Sequence, residues 1–439
     1  MTWLLLAAAV CLVWTVPRWL PAVVVRLREW IFRRVNGEEG IAVPGPLVGA
    51  EHFERVYSDP AADGRSRGAG LSDLFWYWLA PGPQMHQEHL EPGERYRQVA
   101  RTTRQVLAVP HARSDELATA ATLRRLDALP PGRTVHVRLR DLMMPIWAEV
   151  YYELVFAEPC PPGARDLIVA NADDVVTALK GTSLRHMSRR DRLTRYLLGR
   201  IASGTCPVQL PGCSALETAW YLQGAFFNTA VVQMSEAMAH VLLSVASCPV
   251  PPDDDAALDR AIDETLRVHP LFGIAHRITS APIVVDERVT LPAGSVLLFN
   301  YLAYQRTGPA ADDAFDPGRW LTLARRDAHF IPYGVVANRA CPARGAAPVM
   351  LRACTREVLR RYGVASAAAH TRSLPSRGPA YLTPAGAPAP GRLRLAAQGF
   401  RDRWAGVGRA LAQLVCGTYM VIDARRQRLC AGYFEEVNR

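Results

Sequence analysis

Apolar residues recur every three to four positions through long Leu-, Ala- and Arg-rich windows between about 90 and 245, among them Glu94 to Ala108, Leu117 to Leu126 and Ala215 to Ala246. That spacing gathers apolar side chains on one face of a helix, so this half of the chain is predicted to be mainly helical. Between 271 and 306 the pattern changes to short β-branched runs, Ile283-Val284-Val285 and Val296-Leu297-Leu298, separated by Asp286-Glu287 and Pro292-Ala293-Gly294. A small sheet is expected there. Pro348 to Tyr362 has helical composition again, and 373–396, rich in Pro, Gly and Arg, reads as turns with short strands. Residues 397–439 form an appended helix, Phe400 to Cys416, and a small terminal unit without a readable role. The expected fold is mainly α with small β-sheets, occupying 47–396.

The first 25 residues follow a different pattern. Residues 2–16 are uncharged and apolar, and Pro17-Arg18 leads to a second apolar patch, Trp19 to Val25, before Arg26, Arg28, Arg33 and Arg34. A cleaved signal carries its positive charge ahead of the apolar stretch, whereas here the charge follows, which points to an uncleaved single-pass membrane anchor over 1–25. The arginines place the following domain on the cytoplasmic side by the positive-inside rule. A span needs roughly 20 apolar residues, so either Arg18 snorkels or part of the segment lies in the interface. A buried core helix is the competing reading of so short a stretch. Residues 26–46 read as a basic linker closed by the stiff Val43-Pro44-Gly45-Pro46 turn, a hinge to the main domain.

The 439 residues are 49% hydrophobic and 21% charged, ordinary globular usage that excludes wholesale disorder and a polytopic membrane protein. The formal charge of +10 raises the question of nucleic acid. The excess is Arg scattered along the chain, without a basic run interleaved with aromatics, so no nucleic-acid partner is expected. None of the nine cysteines is spaced as zinc ligands are, and an odd count argues against a disulfide framework.

Chemistry concentrates in three stretches. Glu264-Thr265-Leu266-Arg267 sets an acid and a base three apart on one helical face, where they can pair. Some fifty residues on, Phe315-Asp316-Pro317-Gly318-Arg319-Trp320 supplies an arginine able to join that pair in a buried network. Then comes Phe330-Ile331-Pro332-Tyr333-Gly334-Val335-Val336-Ala337-Asn338-Arg339-Ala340-Cys341.

In this order the three elements resemble the signature set of the cytochrome P450 family: the ExxR helix, the proline-arginine motif of the meander, and the Phe-x-Pro-aromatic-Gly loop leading to Arg-x-Cys. The resemblance is strong over about 260–365 and weak over 44–260. It implies the P450 fold behind a membrane anchor, and haem b with iron bound by the Cys341 thiolate, a donor that favours O–O cleavage. By the same analogy Arg339 and Arg277 face haem propionates, Phe330 belongs to the haem loop, and Arg97 and Arg101 of the presumed C helix add propionate contacts.

Two departures stand out. The Gly334–Cys341 loop is one residue longer than usual, with Val336 or Ala337 at its second glycine position and Ala343 replacing a glycine beyond the cysteine. The presumed distal helix, Trp220 to Ala246, lacks the family's acid-alcohol pair. Gly224-Ala225-Phe226-Phe227-Asn228-Thr229 offers an amide in place of the acid, and another register puts Val232-Gln233 there, so Asn228, Thr229 and Gln233 are the catalytic candidates. The leading expectation is a monooxygenase of specialised metabolism acting on a lipophilic small molecule, with electrons from a separate ferredoxin or flavoprotein reductase. An oxygen-independent isomerase or dehydratase and a non-catalytic accessory protein of the same fold are the alternatives.

Overall fold

A computed structural model describes residues 2–37, 40–248 and 251–437, with side chains from Val13 onward. Met1 of the expected anchor, Glu38 and Glu39 of the expected linker, and Asn438 and Arg439 of the extension lie outside the described residues.

The chain opens with α1 (Thr2–Asn36), β1 (Ile41–Val43), α2 (Phe53–Ser58) and α3 (Gly70–Leu79). The helical half follows: α4 (Glu94–Leu107), α5 (His111–Asp127), β2 (Val135–Arg138), α6 (Leu139–Phe156), α7 (Pro162–Leu179), α8 (Met187–Ala202), α9 (Ala215–Gly224) and α10 (Val231–Val245). Next come α11 (Asp255–Val268), β3 (Ile274–Ile278), β4 (Ile283–Val284), β5 (Thr290–Leu291), β6 (Val296–Asn300) and α12 (Tyr301–Gln305). An irregular stretch then leads to α13 (Ala346–Arg361), β7 (Tyr362–Ala365), β8 (Pro379–Pro384), α14 (Arg392–Gln427) and α15 (Leu429–Val437).

Local chemistry explains the key boundaries. Ser214 and Glu217 form a reciprocal capping box at the start of α9, and the Asp254 carboxylate accepts from the Ala257 amide to start α11. The α9–α10 stretch is apolar nearly all round, the mark of a helix enclosed by others. Its Phe226 and Phe227 are fully buried, as are Trp147, Tyr151 and Tyr152 of α6, and these rings form the main core with α13. A second cluster, centred on Phe53, Tyr57 and Phe299, fills the space beneath a small sheet of order β1-β6-β3. In that sheet β1 runs parallel to β6, with Ile41 opposite Leu297, and β3 runs antiparallel. The expected sheet between 271 and 306 is therefore present, and it recruits β1 from the segment expected to be linker.

The terminal segments depart from expectation. Helix α1 does not stop at residue 25 but continues through the expected linker to Asn36, because Ile31, Phe32 and Val35 extend its inward face. It does not project as a self-standing span either. Phe32 and Val35 pack with Leu74 and Tyr77 of α3 and Met420, Val421 and Ala424 of α14. The appended helix is also longer than Phe400–Cys416, spanning Arg392–Gln427.

Candidate active site

Helix α11 presents Glu264 and Arg267 on one buried face. Arg267 grips the carboxylate with two bonds, Nε to Oε2 at 3.0 Å and Nη2 to Oε1 at 2.7 Å, and donates further to the carbonyls of Ala310, Asp312 and Ala314. The Asp316 amide donates to Glu264 Oε1 at 3.0 Å, and Arg319 approaches the same oxygen at 3.4 Å while pairing with Asp312 at 2.8 Å. Both ions of the pair are buried, and their remaining donors and acceptors are met by backbone, the condition under which a buried ion pair is tolerated. The structure thus brings Glu264, Arg267 and Arg319 together, and the network ties α11 to the irregular segment that precedes the cysteine loop.

That loop turns at Gly334, whose φ of +79° suits a residue without a side chain, and a Cβ there would meet the Tyr301 hydroxyl at 3.4 Å. The Cys341 amide closes the loop by donating to the Tyr333 carbonyl at 2.9 Å. Burial pushes the Cys341 thiol up to about 11, opposed by the Ala343 amide that donates to it. A positively charged metal centre is what converts such a thiol to thiolate.

Cys341 lines a cavity whose walls also carry Leu107, Phe226, Thr229, Ala230, Gln233 and Met234. The distal helix bulges there: Ala225–Ala230 adopts a π turn between α9 and α10, a local widening common where helices carry function. Thr229 and Gln233 face the cavity, whereas Asn228 is buried elsewhere. Glu236, the acid of α10, is committed to Arg140 at 2.8 Å and Lys180 at 2.6 Å and does not line the cavity.

Thr229 has a partner from outside its helix. The Glu88 amide donates to His86 Nδ1 at 3.2 Å, which makes Nε2 the protonated nitrogen, and Nε2 lies 2.7 Å from Thr229 Oγ1. With that tautomer the imidazole donates to the threonine oxygen, which leaves the threonine hydrogen for another acceptor. Burial drives the pKa of His86 down to about 4, with Glu88 opposing and Arg65 adding to the effect, so the ring is neutral at pH 7.

The cytochrome P450 family model matches residues 256–385, the stretch that contains the Glu264 network and Cys341. A 6-coordinated cytochrome P450 from Thermus thermophilus shares the fold at a TM-score of 0.57 and 18% identity, over 76% of this chain and 88% of that one. Residues 256–385 thus carry a cytochrome P450 domain, set within a cytochrome P450 fold. Among curated proteins the chain is 37% identical to pentalenene oxygenase of Streptomyces avermitilis over 86 residues, 18% of this chain and 19% of the relative. It is 34% identical to trimethyltridecatetraene synthase of Zea mays over 109 residues, 22% of this chain and 19% of that protein. The chain thus matches about a fifth of the length of either relative.

Family and fold imply a cysteine-ligated haem iron, and the P450 cavity has the features to receive one. Cys341 is the sulfur donor in its wall, and most of the lining is apolar. Arg339 also lines it, half-buried near Arg65, and desolvation and that neighbour pull its pKa down to about 10. Its guanidinium donates to the carbonyls of Leu90 at 2.7 Å and Asp63 at 3.1 Å and stacks on Tyr96, and among the described residues no carboxylate forms an ion pair with it. A half-buried cation that forms no ion pair among the described residues suits an anionic group such as a propionate. Tyr333 Oη, also in the wall, is a buried hydroxyl without a hydrogen-bond partner among the described residues.

Other expected contacts are placed elsewhere. Arg97 pairs with Glu94 on the exposed side of α4, and Arg101 is exposed beside it, so neither lines the cavity. The apolar face of α4, Val99, Ala100, Thr103 and Leu107, is the buried one, which turns both arginines outward. Arg277 is buried behind the wall, donating to Tyr57 Oη at 2.6 Å and to the His276 carbonyl at 3.1 Å. Phe330 packs on Trp320 with ring centroids 4.9 Å apart and stays out of the lining. Sequence reasoning missed His86. It sits in His86-Gln87-Glu88-His89, a polar run whose only visible oddity is two histidines beside an acid.

Proposed function

We propose that this P450 is a haem-thiolate monooxygenase that oxidises a lipophilic small molecule in specialised metabolism. The reaction consumes R–H, dioxygen, two electrons and two protons and yields R–OH and water. A separate ferredoxin or flavoprotein reductase supplies the electrons. The observation that carries the reading is that Cys341 and Thr229 line one cavity, with His86 Nε2 2.7 Å from the Thr229 Oγ1. Haem bound there would supply the activation of dioxygen. Cys341 would hold it, Arg339 would offer a cation to its acidic groups, and Thr229 of the distal helix would present a proton at Oγ1.

The apolar lining, including Leu107, Phe226, Met234 and Leu271, supports a hydrocarbon-rich substrate. A match to a protein named pentalenene oxygenase agrees with that class. We further read the N-terminal helix as the membrane attachment of the protein, with the catalytic body on the cytoplasmic side of Arg26, Arg28, Arg33 and Arg34.

The reduced protein exposed to carbon monoxide should show the strongly red-shifted absorption band of a thiolate-bound haem, and Cys341→Ala should lose it. With an electron donor and labelled dioxygen, the label should enter the product. Turnover of a hydroperoxide with no reductant and no dioxygen would instead establish the isomerase or dehydratase reading, and a colourless protein the accessory one.

A further inference from the structure

Exposed large apolar side chains cluster on two helices. On α1, Trp19, Val23, Leu27 and Trp30 fall three to four residues apart on one outward stripe, with Trp14 beyond them. On α14, Leu411, Val415, Tyr419 and Ile422 form an equivalent stripe, with Val415 69% exposed. The opposite faces are already packed: Val24 on α1, and Ala410, Met420 and Ala424 on α14, are buried. Each helix is therefore apolar on two sides, one facing the protein and one facing out. An outward face of this kind calls for a second apolar environment.

The helices run side by side in the same direction. Trp14 and Phe400 touch near one end with ring centroids 5.7 Å apart, and Arg28 lies against Gly417 farther along. Helix α14 is fixed to the body by Gln398, whose side chain accepts from the Ala367 amide, and by Asp402, which accepts from that of Ala369. The helical run Arg392–Val437 contains an 18-residue window with a mean hydropathy of 1.3, yet only 22% of that window is buried. A helix held along the body in this way meets a bilayer lengthwise, not end-on.

Charge decides what covers the face. Arg18, Arg26, Arg33 and Arg34 are exposed on α1 beside one exposed acid, Glu29, and Arg401, Arg403 and Arg426 bracket the α14 stripe. A second copy docked by two-fold symmetry would set a basic surface against itself. Anionic headgroups instead pair with arginine, and the exposed tryptophans Trp14, Trp19 and Trp30, with Tyr419, are the residue types that settle at the headgroup level.

We propose that α1 and α14 together form one membrane-docking face that lies in the headgroup region of an anionic bilayer. The α1 half rests on the membrane reading above, while the α14 half stands on its own exposed stripe. The test is flotation of the purified full-length chain with vesicles of phosphatidylcholine alone or mixed with phosphatidylglycerol. The mixed vesicles should bind about tenfold more strongly or better. Val415→Glu combined with Ile422→Glu should lower partitioning at least about tenfold while the carbon monoxide spectrum stays native. Arg26→Gln with Arg33→Gln and Arg34→Gln, all at exposed sites, should remove the preference for the anionic lipid.

Unchanged partitioning of the natively folded Val415/Ile422 variant would overturn the role of α14 and leave α1 as the attachment. A retained anionic preference in the arginine variant would refute the charge argument. Absence of vesicle binding by the parent would sink both halves, and a dimer mass by light scattering that the Val415/Ile422 variant loses would assign the face to a second copy instead. None of these outcomes touches the haem spectrum, so a failure here is distinct from failure of the monooxygenase reading.

Discussion

His86→Ala is the sharpest perturbation of the distal side. The substitution removes the ring nitrogen Nε2, 2.7 Å from Thr229 Oγ1, together with its proton, and leaves the threonine free to rotate. Leaving the part-buried Thr229 oxygen without this donor costs about 1–3 kcal/mol. At about 1.4 kcal/mol per factor of ten, that corresponds to a loss of roughly 5- to 150-fold in correctly delivered protons. The assay is product formed per electron pair consumed, together with the solvent deuterium isotope effect on product formation. His86→Ala should divert electrons to peroxide or water and enlarge the isotope effect. His86→Gln, whose amide can donate to the same oxygen, should recover a substantial part of the coupling. Because His86 acts through Thr229, adding His86→Ala to Thr229→Ala should cost little more than Thr229→Ala alone. Parent-like coupling and isotope effect in His86→Ala, with a native carbon monoxide spectrum, would refute the reasoning.

Two other predictions concern stability. Arg267→Leu leaves the Glu264 carboxylate buried without its bidentate partner and should destabilise the fold by about 3–5 kcal/mol, read as a lowered urea midpoint and poor haem retention. Acid should weaken the protein through its buried histidines: burial holds His86 and His276 at about 4, below the ordinary 6.5, so at these rings the unfolded chain binds more protons than the native one between those values. The stability contributed by the neutral rings is whole above pH 6.5 and is lost as pH falls toward 4, about 3 kcal/mol for each ring. A urea midpoint that stays flat from pH 7 to about 4.5 in the parent would contradict the burial of these rings.

Much of the proximal side was legible in the linear order of residues. The Glu264–Arg267 spacing, Arg319 and the Phe330–Cys341 loop act through short-range geometry, a helix turn and a tight loop, which sequence spacing encodes directly. The change from helical periodicity to β-branched runs near 271–306 likewise anticipated β3 to β6. The distal side was not readable in the same way. Counting offered two registers for the acid-alcohol position, and only the structure shows that Thr229 and Gln233 line the cavity while Asn228 is buried elsewhere.

What Thr229 bonds to is a matter of packing between segments 143 residues apart, and no local pattern near either residue marks it. The direction of Arg97 and Arg101 was likewise set by which face of α4 the core required. For the N-terminal helix, composition established an apolar, Arg-flanked segment, but only its contact with α14 turned an isolated anchor into half of a two-helix face. Helix turns and motif spacings depend on residues a few positions apart, and so the sequence alone determines them. Which helix face meets the core, and which distant side chain completes a hydrogen bond, depends on burial summed over the whole chain, and only the tertiary structure decides it.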